Sequence, residues 1–219
     1  MNRYFDHTNL AQNATKEDIV SLCKEARANH FASVCVNPYR VGIASQILKN
    51  SDVAVCTVVG FPLGATQTSI KVMETKKAIK DGATEIDMVM NIGALKDRNY
   101  EKVYRDIRRV KKACSKNAIL KVILETGMLS DGEIVKACQL AVAAKADYVK
   151  TSTGFYEKKA TVEAVKLMKE TVGEKAKVKA AGGIRNLKTA KAMIEAGASR
   201  LGTSATMNIM KELGKNTEL

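Results

Sequence analysis

The chain has very little of what common metal and disulfide sites are built from. Only two histidines occur, His7 and His30. The five cysteines (Cys23, Cys35, Cys56, Cys114 and Cys138) are odd in number, widely spaced and without a C-x-x-C pair. That pattern is neither a disulfide framework nor a zinc site, so no metal is expected. Proline is nearly absent, with Pro38 and Pro62 alone, and no stretch is rich in Ser, Gly or Pro. Nothing therefore reads as a linker or a low-complexity segment. Tryptophan is missing and aromatic residues make up 5% of the chain, which leaves no evident stacking platform for single-stranded nucleic acid. No apolar run approaches the ~20 residues of a membrane span. The opening residues, Met1 to Asp6, lack the charged start and apolar run of a signal peptide. A cytoplasmic protein with no membrane partner is the resulting expectation.

What is present fits one sizeable core. Of the 219 residues, 46% are hydrophobic. Barrels of alternating strands and helices form single domains of roughly 200–250 residues, so residues 1–219 are expected to form one domain. The net charge of +13 could serve nucleic acid or anionic metabolites. The Lys and Arg residues, however, are interleaved with Glu and Asp over Glu101–Lys112 and Glu163–Glu174. Interleaving of this kind belongs to solvated outer helix faces, and no nucleic-acid partner is expected.

Two hydrophobic periods alternate along the chain. Short runs at 31–36, 53–59, 84–90, 119–124, 147–150, 176–180 and 199–202 have strand length and β-branched character. The opening 3–6 (RYFD) adds an eighth. Between them lie helical stripes: Ile19, Leu22, Cys23 and Ala26; Val103, Ile107 and Val110; Ile134, Cys138 and Ala141. Thr15 before Asp18 and Ser130 before Glu133 read as helix starts. Gly82 and Gly197 read as helix stops. Strict strand–helix alternation implies a parallel sheet. Eight units imply a single (β/α)8 TIM barrel rather than an open doubly wound sheet, which would need a G-x-G-x-x-G turn that Gly60–Gly64 does not supply.

In such a barrel, chemistry collects at the C-terminal ends of the strands. Charged residues there need a reason, because an ion buried alone is costly. Four stand out: Asp6 on strand 1, Asp87 on strand 4, Lys150 ending strand 6 and Lys179 ending strand 7. Two neighbouring ammonium groups repel, so one sheds its proton more easily. An uncharged lysine is the nucleophile that imine formation requires, and Asp87 can balance charge and relay protons. Any one of these lysines, taken alone, could equally be a phosphate ligand or a surface residue. Lys121 sits earlier in its strand, nearer the opposite rim, and reads as structural; Lys177 reads as lying deeper or at the start of its strand.

Phosphate binding has a separate signal. Loops after strands 7 and 8 of such barrels bind phosphate through backbone N–H groups and a helix N-terminus. Here those loops are Ala181-Gly182-Gly183-Ile184-Arg185 and Gly202-Thr203-Ser204, and strand 6 runs into Thr151-Ser152-Thr153-Gly154 at the same end. His7 reads as structural, Cys35 and Cys56 as small apolar fillers, and Met73, Met88 and Met90 as core.

The run DYVKTSTGF (147–155) resembles the active-lysine motif of the deoxyribose-phosphate aldolases. Asp6–Leu10 (DHTNL), Val34–Pro38 (VCVNP), Thr57–Ala65 (TVVGFPLGA), Glu85–Val89 (EIDMV), Lys121–Gly127 (KVILETG), Lys179–Arg185 (KAAGGIR) and Arg200–Ser204 (RLGTS) resemble further motifs of that family, in family order over nearly the whole chain. The resemblance implies a class I lyase. It would reversibly cleave 2-deoxy-D-ribose 5-phosphate to D-glyceraldehyde 3-phosphate and acetaldehyde, with no metal or organic cofactor. It implies Lys150 as the Schiff-base lysine, Lys179 as the neighbour that lowers its pKa, and Asp87 with Lys179 in proton transfer. Gly182, Gly183, Gly202 and Ser204 would take the phosphate, Asp6 and Thr8 would line the sugar pocket, and Thr151, Thr153 and Gly154 would border it. Family analogy suggests a homodimer. The run Tyr156–Ala160 departs from the small, glycine-bearing residues usual after the motif, and Phe155 stands where some relatives have a lysine. Two other readings remain at this point: a Schiff-base aldolase for a different phosphorylated aldehyde, and a basic, non-catalytic nucleic-acid-binding barrel.

Overall fold

Strands and helices alternate as the two hydrophobic periods imply. The computed structural model describes residues 1–215; positions 216–219 of the expected domain lie outside the described residues. The strands are β1 (Phe5–Asn9), β2 (Ser33–Val36), β3 (Ala54–Val59), β4 (Glu85–Val89), β5 (Ile119–Ile123), β6 (Tyr148–Lys150), β7 (Lys177–Ala181) and β8 (Arg200–Thr203). The helices are α1 (Lys16–Ala28), α2 (Val41–Ile47), α3 (Thr68–Lys80), α4 (Ile92–Lys96), α5 (Tyr100–Cys114), α6 (Asp131–Ala143), α7 (Val162–Val172), α8 (Leu187–Glu195) and α9 (Thr206–Lys215). All neighbouring strands pair in parallel, and β8 pairs with β1 to close the sheet. The fold is a (β/α)8 TIM barrel.

Side-chain alternation along the strands divides two environments. Ile86 and Met88 on β4, Leu120 and Val122 on β5, Val149 on β6, Val178 on β7 and Leu201 on β8 all enter the main hydrophobic core. They face the helices, and each such burial stabilises the fold by about 1.5–3 kcal/mol. The residues between them, Glu85, Asp87, Lys121, Lys150, Lys179 and Arg200, face one another inside the barrel.

The helices meet the sheet through the expected stripes: Ile19, Leu22, Cys23 and Ala26 of α1, Val103, Ile107 and Val110 of α5, and Ile134, Cys138 and Ala141 of α6 are buried. Thr15 and Ser130 each form a full capping box, with Asp18 and Glu133. Gly82 and Gly197, just beyond α3 and α8, have φ of 108° and 107°, a conformation that favours glycine. An internal salt bridge ties α3 to α5: Lys71 Nζ donates to Asp106 Oδ2 at 2.7 Å and to the Val89 carbonyl at 2.9 Å, with both side chains buried.

Two expectations need correction. Strand β1 begins at Phe5, not Arg3. Asn2–Tyr4 instead form a 3-10 turn, and the Arg3 guanidinium donates to the carbonyls of Phe31 and Asp52 at 3.1 and 3.0 Å. Met73 is exposed rather than core, because the buried face of α3 carries Lys71, Thr75 and Ala78. Met88 and Met90 are buried as expected. Among the described residues no helix is long and apolar enough to cross a membrane.

Candidate active site

The strand register sets the lysine pair. Lys150 and Lys179 are directly paired positions on β6 and β7, and Asp87 and Lys121 are paired on β4 and β5. Lys150 Nζ donates to Asp87 Oδ2 at 2.8 Å, and Lys179 Nζ donates to the same oxygen at 2.7 Å. Lys121 Nζ takes the other oxygen, Oδ1, at 3.0 Å. One carboxylate thus receives three ammonium groups, all in the barrel interior.

The charges continue below Asp87. Lys121 reaches Glu85 Oε2 at 2.5 Å, and Glu85 Oε1 accepts from Arg200 Nη2 at 3.1 Å. Arg200 Nη1 meets Asp6 Oδ1 at 2.5 Å, and Asp6 Oδ2 forms an ion pair with Lys179. Arg200, Glu85, Lys121, Asp87, Lys179 and Asp6 therefore close a ring of six charges that alternate in sign. Lys150 hangs from it at Asp87. Buried charges survive when every one is paired, and this ring satisfies that condition.

Titration follows from the pairing. Burial alone would raise the Asp87 carboxyl, but Lys121, Lys150 and Lys179 together hold it well below the usual carboxylate range. Burial acts the same way on Asp6, where Lys179, Lys121 and Arg200 outweigh it and keep the carboxyl low. Desolvation opposes the charge on Lys179, yet Asp6 and Asp87 raise its ammonium above the ordinary lysine range. Lys121 is raised well above that range against its own desolvation, mainly by Asp87. Of the two lysines at the end of the site, Lys179 is thus firmly held as a cation.

Above Asp87 a cleft of about 290 Å3 opens at the C-terminal ends of the strands, with Lys150 at its floor. Thr8, Thr153, Gly154, Gly182, Gly183, Gly202 and Ser204 line it. Gly182 and Gly183 have φ of 95° and 82°, so their loop exposes backbone N–H groups that side chains do not screen. At Gly202 a Cβ would lie 3.0 Å from Lys179 Cε and 3.0 Å from Ala181 Cβ; glycine there leaves space for the Lys179 stem. Asp87 and Lys179 lie beneath the cleft rather than on its wall.

Other expected residues fall elsewhere. Asp6 does not line the cleft; it is fully buried under Lys179 and Arg200. Thr151 is also fully buried, exchanging hydrogen bonds with the backbone of Ala181 at 2.9 Å each way. Lys121, expected near the opposite rim, is buried inside the barrel, where its ammonium reaches Asp87 as well as Glu85. Lys177 is exposed at the start of β7, with its ammonium 5.9 Å from the Tyr148 ring centre. Cys56 is more than a filler: its thiol lies 3.2 Å from Asp87 Oδ1, and burial pushes it well above the usual thiol range. His7 is buried, with Nε2 2.8 Å from Glu25, and takes no part in the barrel interior.

The site also holds side chains to which the sequence assigns no individual role. Glu125, left-handed at φ 57° and buried, accepts from the Thr153 hydroxyl at 2.5 Å and its N–H at 3.2 Å, which fixes Thr153 on the cleft wall. Lys159 and Arg185 add two cations to the cleft lining. Lys159 lies in the departing run Tyr156–Ala160 and donates to the Tyr156 carbonyl at 3.1 Å. Phe155 packs edge-to-face on Phe61, ring centres 5.2 Å apart. Two trios, Cys35–Cys56–Asp87 and Asp6–Cys56–Glu85, have potential ligand atoms within 4.8 Å of one another. Their carboxylates are committed to lysine and arginine, and those cations would repel a metal ion.

Known proteins resemble this chain closely in sequence and in fold. The chain is 58% identical to a deoxyribose-phosphate aldolase of Carboxydothermus hydrogenoformans over 211 residues, covering 95% of this chain and 92% of that one. It is 57% identical to a deoxyribose-phosphate aldolase of Thermococcus gammatolerans, covering 99% and 97%. Among solved structures, the aldolase QR15 superposes with a TM-score of 0.94 at 41% identity, covering 99% of this chain and 96% of that one. The deoxyribose phosphate aldolase of Aeropyrum pernix, described as a tetramer, superposes with a TM-score of 0.90 at 32% identity, covering 97% and 90%. The family model described as DeoC/LacD family aldolase matches residues 1–212. With a family match over almost its entire length and relatives of this identity, the chain belongs to the DeoC/LacD family of aldolases.

Proposed function

We propose that the chain reversibly cleaves 2-deoxy-D-ribose 5-phosphate to D-glyceraldehyde 3-phosphate and acetaldehyde, through a Schiff base on Lys150. One observation carries the assignment of the lysine. The six-membered ring holds three cations and three anions, so it is neutral without Lys150. A neutral Lys150 leaves every remaining charge paired. A neutral Lys179 would instead break the ring between Asp6 and Asp87, each of which loses one of its buried cationic partners. Lys150 is also the one lysine of the group that reaches the cleft floor.

The chemistry then runs upward from this amine. Lys150 attacks the substrate aldehyde at C1, and loss of water gives the imine. The imine draws the electron pair of the C2–C3 bond as the C3 hydroxyl loses its proton, releasing glyceraldehyde 3-phosphate. The resulting enamine takes a proton at C2, and water frees acetaldehyde and the amine. Asp87, bonded to the amine, and Lys179, bonded to the same carboxylate oxygen, move these protons. The phosphate rests on the backbone of Gly182, Gly183 and the Gly202–Ser204 turn, with Thr8, Thr153 and Gly154 on the walls. Residues 1–219 act as one domain in the cytoplasm. Ile70 and Met73, both exposed on α3, suit the pairing of two copies.

Borohydride trapping tests the assignment. The protein is incubated with acetaldehyde, reduced, digested and mapped by mass spectrometry. Modification at Lys150 that disappears in Lys150→Ala is the expected result. Labelling at another residue, or none, overturns the reading.

A further inference from the structure

Glu85 and Arg200 touch none of the cleft, yet they complete the charge ring beneath it. Each begins its strand, β4 and β8, at the end of the barrel opposite the cleft. Glu85 uses both oxygens, Oε2 for Lys121 and Arg200 Nη1 and Oε1 for Arg200 Nη2, and Arg200 spans Glu85 and Asp6. From these two residues, paths of alternating ions lead to Asp87: through Lys121 on one side, and through Asp6 and Lys179 on the other. The Lys150 amine rests on Asp87.

We propose that Glu85 and Arg200 are positioning residues that set the charge balance beneath the Lys150 amine, so that the ring is neutral and Lys150 is its only surplus cation. This inference rests on Lys150 being the imine-forming residue. Its physical basis is that the ring is buried and so weakly screened, and one unpaired charge in it acts on the amine at close range.

Every strand contributes to the surroundings of Lys150, and the ring accounts for the firm charges. Asp6 comes from β1, Glu85 and Asp87 from β4, Lys121 from β5, Lys179 from β7 and Arg200 from β8. The thiol of Cys56 on β3 is held neutral by burial. The thiol of Cys35 on β2 is lowered by its hydrogen bond from Cys56, against burial and with help from Lys179. Tyr148 of β6 lies 5.9 Å from the Arg200 guanidinium. Above the amine stand Lys159 and Arg185 on the cleft lining. None of these others replaces a missing member of the ring, because none bonds Lys121, Asp6 and Lys179 together.

Removing either residue therefore has an effect of definite sign. Glu85→Gln leaves one cation in excess, which disfavours a charged Lys150 and frees the amine at lower pH. Arg200→Gln leaves one anion in excess, which favours the ammonium and frees the amine only at higher pH. The double variant restores the balance, with two cations and two anions left. The acidic limb of kcat/KM against pH reports the free enzyme's amine. It is expected to move down by about one pH unit in Glu85→Gln, up by about one pH unit in Arg200→Gln, and back to the wild-type position in the double variant.

The experiment measures kcat/KM for deoxyribose 5-phosphate cleavage from acidic to alkaline pH in the wild type and the three variants. Acetaldehyde–borohydride labelling of Lys150 is followed over the same range, and thermal unfolding confirms that each variant is folded. Opposite displacements that cancel in the double variant support the inference. Displacements of the same sign, or rates lowered equally at every pH, overturn it and leave the two residues as ordinary packing. If Arg200→Gln does not fold, Glu85→Gln and the double variant still decide, because only charge balance returns the limb when a second residue is removed. Wild-type protein unlabelled at Lys150 instead sinks the parent assignment of the imine lysine, a result distinct from labelled protein whose limb does not respond.

Discussion

Lys150 and Lys179 are direct cross-strand partners on β6 and β7, and their ammonium groups donate to one and the same oxygen of Asp87, at 2.8 and 2.7 Å. Like charges placed opposite each other on neighbouring strands normally destabilise a sheet. Here the backbone register forces the encounter and Asp87 tolerates it. The two lysines differ in what lies behind them. Lys179 has a second carboxylate, Asp6, whereas among the described residues the only carboxylate bonded to Lys150 is the shared Asp87. That difference is the one on which the assignment of Lys150 as the reactive amine turns.

Replacing Lys179 by Met removes the neighbouring positive charge while keeping the volume. The Lys150 ammonium then loses its repulsive neighbour and keeps its proton to higher pH. The pH at which acetaldehyde and borohydride label Lys150 is expected to rise. The same substitution leaves Asp6 without one buried partner, and breaking a buried pair costs about 3–5 kcal/mol. Urea unfolding measures that loss. Unchanged pH dependence of labelling would show that Lys179 is not the perturbing charge.

Asp87→Asn tests the proton-transfer assignment. The amide is nearly isosteric but neither accepts a proton nor neutralises three ammonium groups. Turnover is expected to fall by about 10²–10⁴-fold, the range for losing a general acid–base group. KM is expected to change little, since Asp87 lies beneath the cleft and not on its lining. Steady-state kinetics on the phosphorylated substrate separates the two parameters, and a rise in KM at constant kcat would assign Asp87 to binding.

The barrel was legible because each strand writes its parity into the sequence. In Glu85-Ile86-Asp87-Met88-Val89 the apolar Ile86 and Met88 enter the outer core while Glu85 and Asp87 face inward. The same parity around Lys121, between Leu120 and Val122, would have placed it inside. Its depth was misjudged because position along a strand is a poor guide to height in a tilted, staggered barrel. The register, which pairs Asp87 with Lys121, is what brings their side chains together. Met73 was misread because Lys71 and Thr75 occupy the buried face of α3, so hydrophobicity no longer marks that face. Lys159 and Glu125 had no periodic signal: one lies in a loop, the other at a left-handed turn beyond β5.

Stability should show two edges in pH. Asp87 and Asp6 are depressed in the folded state. Their contribution is therefore present above the unfolded carboxylate value of about 4 and is lost as pH falls through the lower folded values. Lys121 and Lys179 are raised. Theirs is complete below the unfolded value of about 10.4 and is lost as pH rises through the higher folded values. Thermal unfolding should give a Tm that declines outside this window on both sides. A Tm declining steadily from pH 7 to 5 would contradict the assignment of the carboxylates.

The buried pair of Lys71 and Asp106 joins α3 and α5 and also holds the Val89 carbonyl at the end of β4. Lys71→Met leaves Asp106 charged, buried and without its ammonium partner, so a loss of about 3–5 kcal/mol is expected. Adding Asp106→Leu removes the orphaned charge, and much of that loss should return. Denaturant unfolding of both single variants and the double variant measures the coupling. Strict additivity would mean that the pair is not energetically linked.

Gly183→Ala separates phosphate binding from imine chemistry. The residue has φ of 82°, and an added Cβ would fall 2.9 Å from the Cβ of Lys159. Holding alanine there costs about 1–3 kcal/mol of backbone strain, and the Lys159 stem must also shift. The loop should relax away from the geometry that presents its N–H groups to an anion. Each 1.4 kcal/mol lost in binding is about tenfold in affinity, so KM for the phosphorylated substrate is expected to rise about tenfold. Lys150, on a different strand and held by Asp87 below, should still be trapped by acetaldehyde at the wild-type rate. If trapping slows as much as KM rises, the loop supports the amine rather than the phosphate, and the division of labour between floor and rim is wrong.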